Sequence, residues 1–140
     1  MFRVTADTNI LVSGLICRRG KPFQLLRMAL EGRINLTVSQ PIIDEMADVL
    51  SRKFGMSMEF VSEAKEIVAE AARVVTPVVQ LDIVKEDPPD NRILECAVSA
   101  GSDYIVSGDR DLLRLGRYDS VRILRVADFL GLAQGKGPAL

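Results

Sequence analysis

The sequence contains no histidine. That excludes Ser-His-Asp triads, Cys-His pairs, zinc sites built on His-Glu-x-x-His and every imidazole general base. If the protein is an enzyme, carboxylates, a metal ion, Lys or Tyr carry its chemistry. Cysteine is scarce. Cys17 and Cys96 lie far apart and form no Cys-x-x-Cys pair, which excludes a cysteine-rich zinc site. Two lone thiols fit a reducing cytoplasm better than a disulfide framework. No run approaches the ~20 apolar residues of a membrane span. The opening MFRVTADTNI carries an early Asp7 and shows no signal peptide. A cytoplasmic protein without a membrane partner is expected.

What is present has a globular balance. Of 140 residues, 48% are hydrophobic and 26% charged, the composition and size of one ordinary domain. We expect a single domain over 1–132 and a flexible tail over 133–140, where Gly135, Gly137 and Pro138 discourage regular structure. The net charge is −1, from 18 basic and 19 acidic residues. Nucleic-acid binders are usually more basic.

Strand and helix patterns alternate along the chain. Phe2 to Ala6 reads as a strand and Ile10 to Ile16 as a buried helical turn. Arg18 to Pro22 reads as a basic loop, and Phe23 to Glu31 as a helix stopped by Gly32. Ile34 to Val38 alternates like a strand. Ser39 is placed to cap a helix with Pro41 in its first turn. That helix has an apolar face from Ile42 through Met46 and Leu50 to Phe54, and a polar face with Asp44, Glu45 and Asp48. Glu59 to Ala72 reads as another helix. Val74-Val75 and Val78-Val79, around Pro77, read as edge or irregular strand. After the Asp87-Pro88-Pro89-Asp90 break, Asp90 is placed to cap a helix from Asn91 to Ala100. Tyr104 to Ser107 is a strand, a short helix starts around Asp109, Val121 to Leu124 is the last strand and Val126 to Leu132 the last helix. This alternation predicts an α/β fold, a parallel sheet with helices on both faces.

In such a sheet, ligands bind beyond the carboxyl ends of the strands, where the strand order reverses. Asp7 follows the first strand. Asp109, with Asp111 close behind, follows Tyr104 to Ser107. Asp90 follows the Pro-Pro break. Gathered at one edge, these acids would repel one another. A hard divalent cation with oxygen ligands is the simplest compensation. The plainer reading is that Asp is a preferred helix N-cap and that Asp7, Asp90 and Asp109 each precede a helix. Asp111 is then an ordinary acid of a first turn.

Four strings resemble the motifs of PIN-domain proteins. The first is Asp7-Thr8-Asn9-Ile10-Leu11-Val12-Ser13-Gly14-Leu15. The second is Ser39-Gln40-Pro41-Ile42-Ile43-Asp44-Glu45. The third runs from Asp87 through Asp90 to Ala97, and the fourth from Tyr104 through Asp109 and Asp111 to Leu113. They stand in the family's order across residues 2–126. The resemblance implies a three-layer α/β/α PIN-like fold with a central, mostly parallel sheet, and a ribonuclease dependent on one or two Mg²⁺ or Mn²⁺ ions. The branch it is most similar to holds VapC-like toxins of type II toxin–antitoxin pairs.

Carried over by position, Asp7, Glu45, Asp90 and Asp109 form the catalytic acidic quartet. Asp7, Asp90, Asp109 and Asp111 are the implied metal ligands. Thr8, Asn9 and Ser107 are candidate supports, since hydroxyls and amides orient carboxylates and waters. The implied products are a 5′-phosphate and a 3′-hydroxyl. The resemblance also implies an RNA substrate, a small antitoxin protein and a homodimer.

With four carboxylates committed to metal, the remaining surface is net positive. Arg18, Arg19, Lys21 and Arg110, with Arg114 and Arg117, are candidate phosphate contacts. Five Phe and two Tyr are too few for extensive base stacking.

Two other enzyme classes fit poorly. An aspartyl-phosphate phosphatase wants a second Asp where Asn9 stands, and a receiver domain wants a Lys after a late strand. The serious alternative is a PIN module that binds RNA or protein with little or no cleavage.

Overall fold

The computed structural model describes residues 1–84 and 89–135 of the chain. Its organising strand is β1 (Arg3–Ala6), in which Val4, Thr5 and Ala6 are all buried. β1 lies between β2 (Asn35–Ser39) and β4 (Tyr104–Val106), parallel to both. β3 (Ala72–Val75) adds in parallel beyond β2, and β6 (Val121–Leu124) in parallel beyond β4. A two-residue strand, β5 (Arg117–Tyr118), closes that edge antiparallel to β6. The order is β3-β2-β1-β4-β6-β5. The chain therefore builds outward from β1 to β3, then returns to add β4 on the other flank. The order reverses between β1 and β4.

Right-handed crossovers place helices on opposite faces according to the direction of travel. Helices α1 (Thr8–Ile16), α2 (Lys21–Leu30), α3 (Gln40–Asp48) and α4 (Met58–Ala71) belong to the outward leg. They pack on one another, and α2 also meets α7 (Val126–Ala133). On the return leg α5 (Asp90–Ala100) lies against β1, β2, β3 and β4, while α6 (Arg110–Leu115) lies against β6. The result is the expected three-layer α/β/α arrangement around a mostly parallel sheet. None of the described helices is long and apolar enough to cross a membrane.

A strand buried on both faces must hide polar side chains where its sequence has them. Thr5, Thr37 and Ser102 solve this together. The Thr5 hydroxyl lies 3.0 Å from that of Thr37 and 2.8 Å from that of Ser102. Thr37 also reaches the Val4 carbonyl at 3.3 Å. Cys96 of α5 packs over this cluster, and burial pushes its thiol up to about 11. It is an inert core residue. On the other face, α1 and α2 approach so closely that a Cβ on Gly14 would stand 3.1 Å from the Pro22 carbonyl oxygen.

Several local expectations change. Lys21 and Pro22 belong to the first turn of α2, not to the basic loop, because Pro is preorganised for that position. The helix capped by Ser39 leaves the α conformation at Asp48 and continues as a π-helical turn over Val49–Lys53. β3 is an edge strand, as Pro77 suggests, but Val78-Val79 is not strand. β5 is too short to leave a sequence pattern. The last helix extends to Ala133, one residue into the expected tail. Residues 136–140 of that tail, and Asp87 and Pro88 of the break, lie outside the described residues.

Candidate functional site

All the parallel strands point their carboxyl ends to one edge, and the predicted acids collect there. β1 ends at Ala6, so Asp7 is its first residue beyond the sheet. Its backbone N–H still donates to the Val106 carbonyl at 3.0 Å, which ties the end of β1 to the end of β4. Ser107 is the matching residue of β4, and its own N–H donates to Leu124 of β6 at 3.0 Å.

The Ser107 side chain links two of the acids. Its hydroxyl donates to Asp7 Oδ2 at 2.6 Å and accepts from the Asp109 N–H at 2.9 Å. A hydroxyl has one proton, and here the carboxylate takes it. Asp7 is buried, and desolvation pushes its carboxyl above the ordinary range. The Ser107 hydroxyl is the largest opposing influence. The backbone N–H of Asn9 also favours the anion, the nearby charge of Asp109 disfavours it, and the Thr8 N–H favours it weakly.

The three aspartates that the sequence presents alike as helix caps differ. Asp109 is a true cap: its Oδ1 accepts from the N–H groups of Asp111 at 2.9 Å and Leu112 at 3.1 Å. Asp7 holds the cap position of α1, but its side chain makes no cap hydrogen bond, being committed to Ser107. Asp90 is not a cap. It is the first residue of α5, with Pro89 in the position before it. Capping therefore accounts for Asp109 and leaves Asp7 and Asp90 to another explanation.

Asp90, Asp109 and Asp111 each bring a carboxylate oxygen within 4.8 Å of the others. Asp7 stands outside that mutual reach and joins the triplet through Ser107. Glu45, half-buried on α3, is reached by the Thr8 hydroxyl at 3.5 Å. The edge thus draws on β1, β4, α3, α5 and α6. Its donor set is all oxygen and mostly carboxylate, suited to a hard divalent cation. Arg114 stands at its rim, 4.0 Å from Asp111.

The other predicted residues fare differently. Thr8 is buried beside the site, whereas the Asn9 side chain is exposed and only its N–H bears on Asp7. Arg18, Arg19 and Lys21 are exposed around the α1–α2 turn, with no contact to the acidic residues among those described. Arg110 is exposed directly beside Asp109, and Arg117 is exposed on β5.

A support that sequence reasoning missed lies along α5. The segment over residues 78–84 lies along its polar stripe Asn91, Glu95 and Ser99. Ser99 accepts from Val78 N–H at 2.9 Å and Glu95 from Leu81 N–H at 2.7 Å. The Asn91 carboxamide accepts from Ile83 and Val84 and donates back to Val84, all within 3.0 Å. Buried Glu95 is further held by Arg92 at 2.9 Å. Three polar residues spaced four apart on a buried helix were the available sign. This stripe fixes the backbone between Val78 and Val84.

Comparison with known proteins bears on this arrangement. No curated protein matches the sequence at a significant level. The fold is similar to a chain in the crystal structure of VapBC2 from Rickettsia felis bound to a DNA fragment from their promoter. Identity is 12% and the TM-score 0.63, over 89% of this chain and 98% of that one. A family model described as PIN domain, a family generally of nucleases, matches residues 3–111. That match begins with the first residue of β1 and ends on Asp111 of the acidic edge; the chain belongs to the PIN-domain family.

Proposed function

We propose that the chain is a divalent-metal-dependent endoribonuclease acting as the toxin of a type II toxin–antitoxin pair. The observation that carries this reading is the convergence of Asp90, Asp109 and Asp111 at the point where the strand order reverses. Asp7 is linked to them through one serine hydroxyl. Like charges gathered this closely destabilise a fold unless something offsets them, and capping explains only one of the four.

In this reading Asp7, Asp90, Asp109 and Asp111 hold one or two Mg²⁺ or Mn²⁺ ions. When bound, a divalent ion supplies Lewis acidity toward water and phosphate oxygens near neutral pH. The chain supplies the rest. Ser107 fixes the Asp7 rotamer by donating to Oδ2. The cap bonds hold Oδ1 of Asp109 and would leave Oδ2 for a cation. Glu45, which the Thr8 hydroxyl approaches at 3.5 Å, or Asp90 accepts the proton of the attacking water. No histidine is needed at any of these steps.

The solved relative is a VapBC2 assembly with promoter DNA, which supports an antitoxin as this chain's partner. An antitoxin arginine entering the acidic edge would pair with carboxylates in two-pronged fashion and compete with metal. Homodimerisation belongs to the same reading. Sedimentation of the purified chain tests it.

The test of function is cleavage of a mixed RNA pool with Mn²⁺, repeated with Asp90→Asn. Hydrolysis that needs the metal and disappears in the folded variant is expected. A folded wild-type chain that cleaves no RNA with either ion would sink the enzyme reading in favour of a binding module.

A further inference from the structure

An open cleft of about 570 Å³ lies beside the acidic edge, between α6 and the junction of β6 with α7. Its lining includes Arg110, Arg114 and Arg125, with Asp128 as the one carboxylate. Leu113, Ile123 and Leu124 give it an apolar floor. The three guanidinium side chains come from separate places. Arg110 and Arg114 are one turn apart on α6, and Arg125 stands at the cap position of α7. All three residues are exposed. Among the described residues, Arg110 and Arg125 are in no ion pair, and Arg114 has only the long contact to Asp111.

The cleft is continuous with the site. Gly108, in its wall, is the residue between Ser107, which holds Asp7, and Asp109. Arg110 follows Asp109 directly. An acidic edge alone repels a polyanion; an adjacent groove with three positive side chains and one negative attracts it. The volume is that of an ordinary ligand pocket. No aromatic residue lines it, so stacking is not the means of recognition. The chemistry is that of a phosphate track with a sequence-tolerant floor.

We infer that this cleft holds the sugar–phosphate backbone of single-stranded RNA beside the cleavage centre, with Arg125, Arg110 and Arg114 as the phosphate contacts. The inference rests on the ribonuclease reading for the identity of its ligand. Arg125 is the discriminating residue, because it lies on neither the acidic loop nor α6.

The experiment measures binding of fluorescein-labelled oligouridylate over a salt series, without metal, for the wild type, Arg125→Ala, Arg125→Lys and the Arg110→Ala/Arg125→Ala double variant. Cleavage of mixed-sequence RNA with Mn²⁺ is followed in parallel, and thermal melts confirm folding. Arg125→Ala is expected to weaken binding several-fold and to reduce the slope of log affinity against log salt by about 0.7. Arg125→Lys should restore most of both. In cleavage, KM should rise while kcat holds.

Unchanged affinity and slope in the folded double variant would overturn the inference, and continued Mn²⁺-dependent cleavage would show that the ribonuclease reading survives it. Arginine-dependent RNA binding without cleavage under any metal would support the cleft and sink the nuclease. A labelled acidic peptide that binds these arginines more tightly than the RNA would overturn the inference in favour of a protein ligand.

Discussion

Asp7 shows how one residue can be needed for function and costly to the fold. Its carboxyl is buried and raised above the ordinary 3.8 mainly by desolvation, with Ser107 opposing. Between that ordinary value and the raised one, the folded metal-free chain keeps a proton that the unfolded chain has released. Folding stability therefore falls as pH rises through this window, and the loss persists above it. Asp7→Asn keeps an acceptor for Ser107 and removes the charge. Denaturant unfolding of the metal-free variant should show this pH slope abolished and stability at neutral pH equal to or above wild type. A less stable variant would mean that the ionised carboxylate is favoured by something other than Ser107. Asp109 separates differently, because it caps α6 through Oδ1. Asp109→Asn retains the cap and should melt near the wild type, whereas Asp109→Ala should lose about 1 kcal/mol. Both should lose cleavage, so equal melting of the two would argue against the cap.

At the scale of elements, the site depends on how α5 is seated. Its polar stripe clamps the segment over residues 78–84, and Asn91 alone accounts for three of those hydrogen bonds. Removing one buried carboxamide leaves backbone groups unsatisfied, at a cost of about 1–3 kcal/mol. In Asn91→Ala, amide exchange at Ile83 and Val84 should accelerate well beyond any change in the β1 amides. Uniform acceleration would mean that the segment opens only with global unfolding. Asp90 does not cap this helix because Pro89 before it already has helical backbone angles, φ −57° and ψ −26°. Asp90 therefore falls inside the first turn, with its carboxylate near those of Asp109 and Asp111.

At the scale of the molecule, the strand order places the ends of β1 and β4 side by side, with Asp7 and Ser107 one residue beyond each. A fold that concentrates carboxylates there should gain stability from whatever neutralises them. Mn²⁺ is expected to raise the melting temperature saturably, by the equivalent of about 2.7 kcal/mol at a hundredfold excess over its Kd. Asp90→Asn should flatten that response. A full response in Asp90→Asn would move the metal site elsewhere. Arg125 is also visible only at this scale, since it faces α6 across the cleft from a helix late in the chain.

The sequence by itself determined the succession of elements, because periodicity, Ser39, Pro41 and Gly101 act over a few residues. Gly101 ends α5 at a φ of 66°, which favours a residue without a side chain. It narrowed the chemistry as well, since without histidine only carboxylates, a metal ion, Lys or Tyr remain to carry it. The PIN motifs were legible for the same local reason. What it could not distinguish was three aspartates that each stand before a helix. Only the tertiary structure decided that Asp109 caps, that Asp90 does not, and that Asp7 is bound to a serine a hundred positions away. The antiparallel β5 and the π turn after α3 are too short to leave a sequence pattern. The polar stripe of α5 is visible in the sequence, but the segment it clamps is brought against it only in the folded chain.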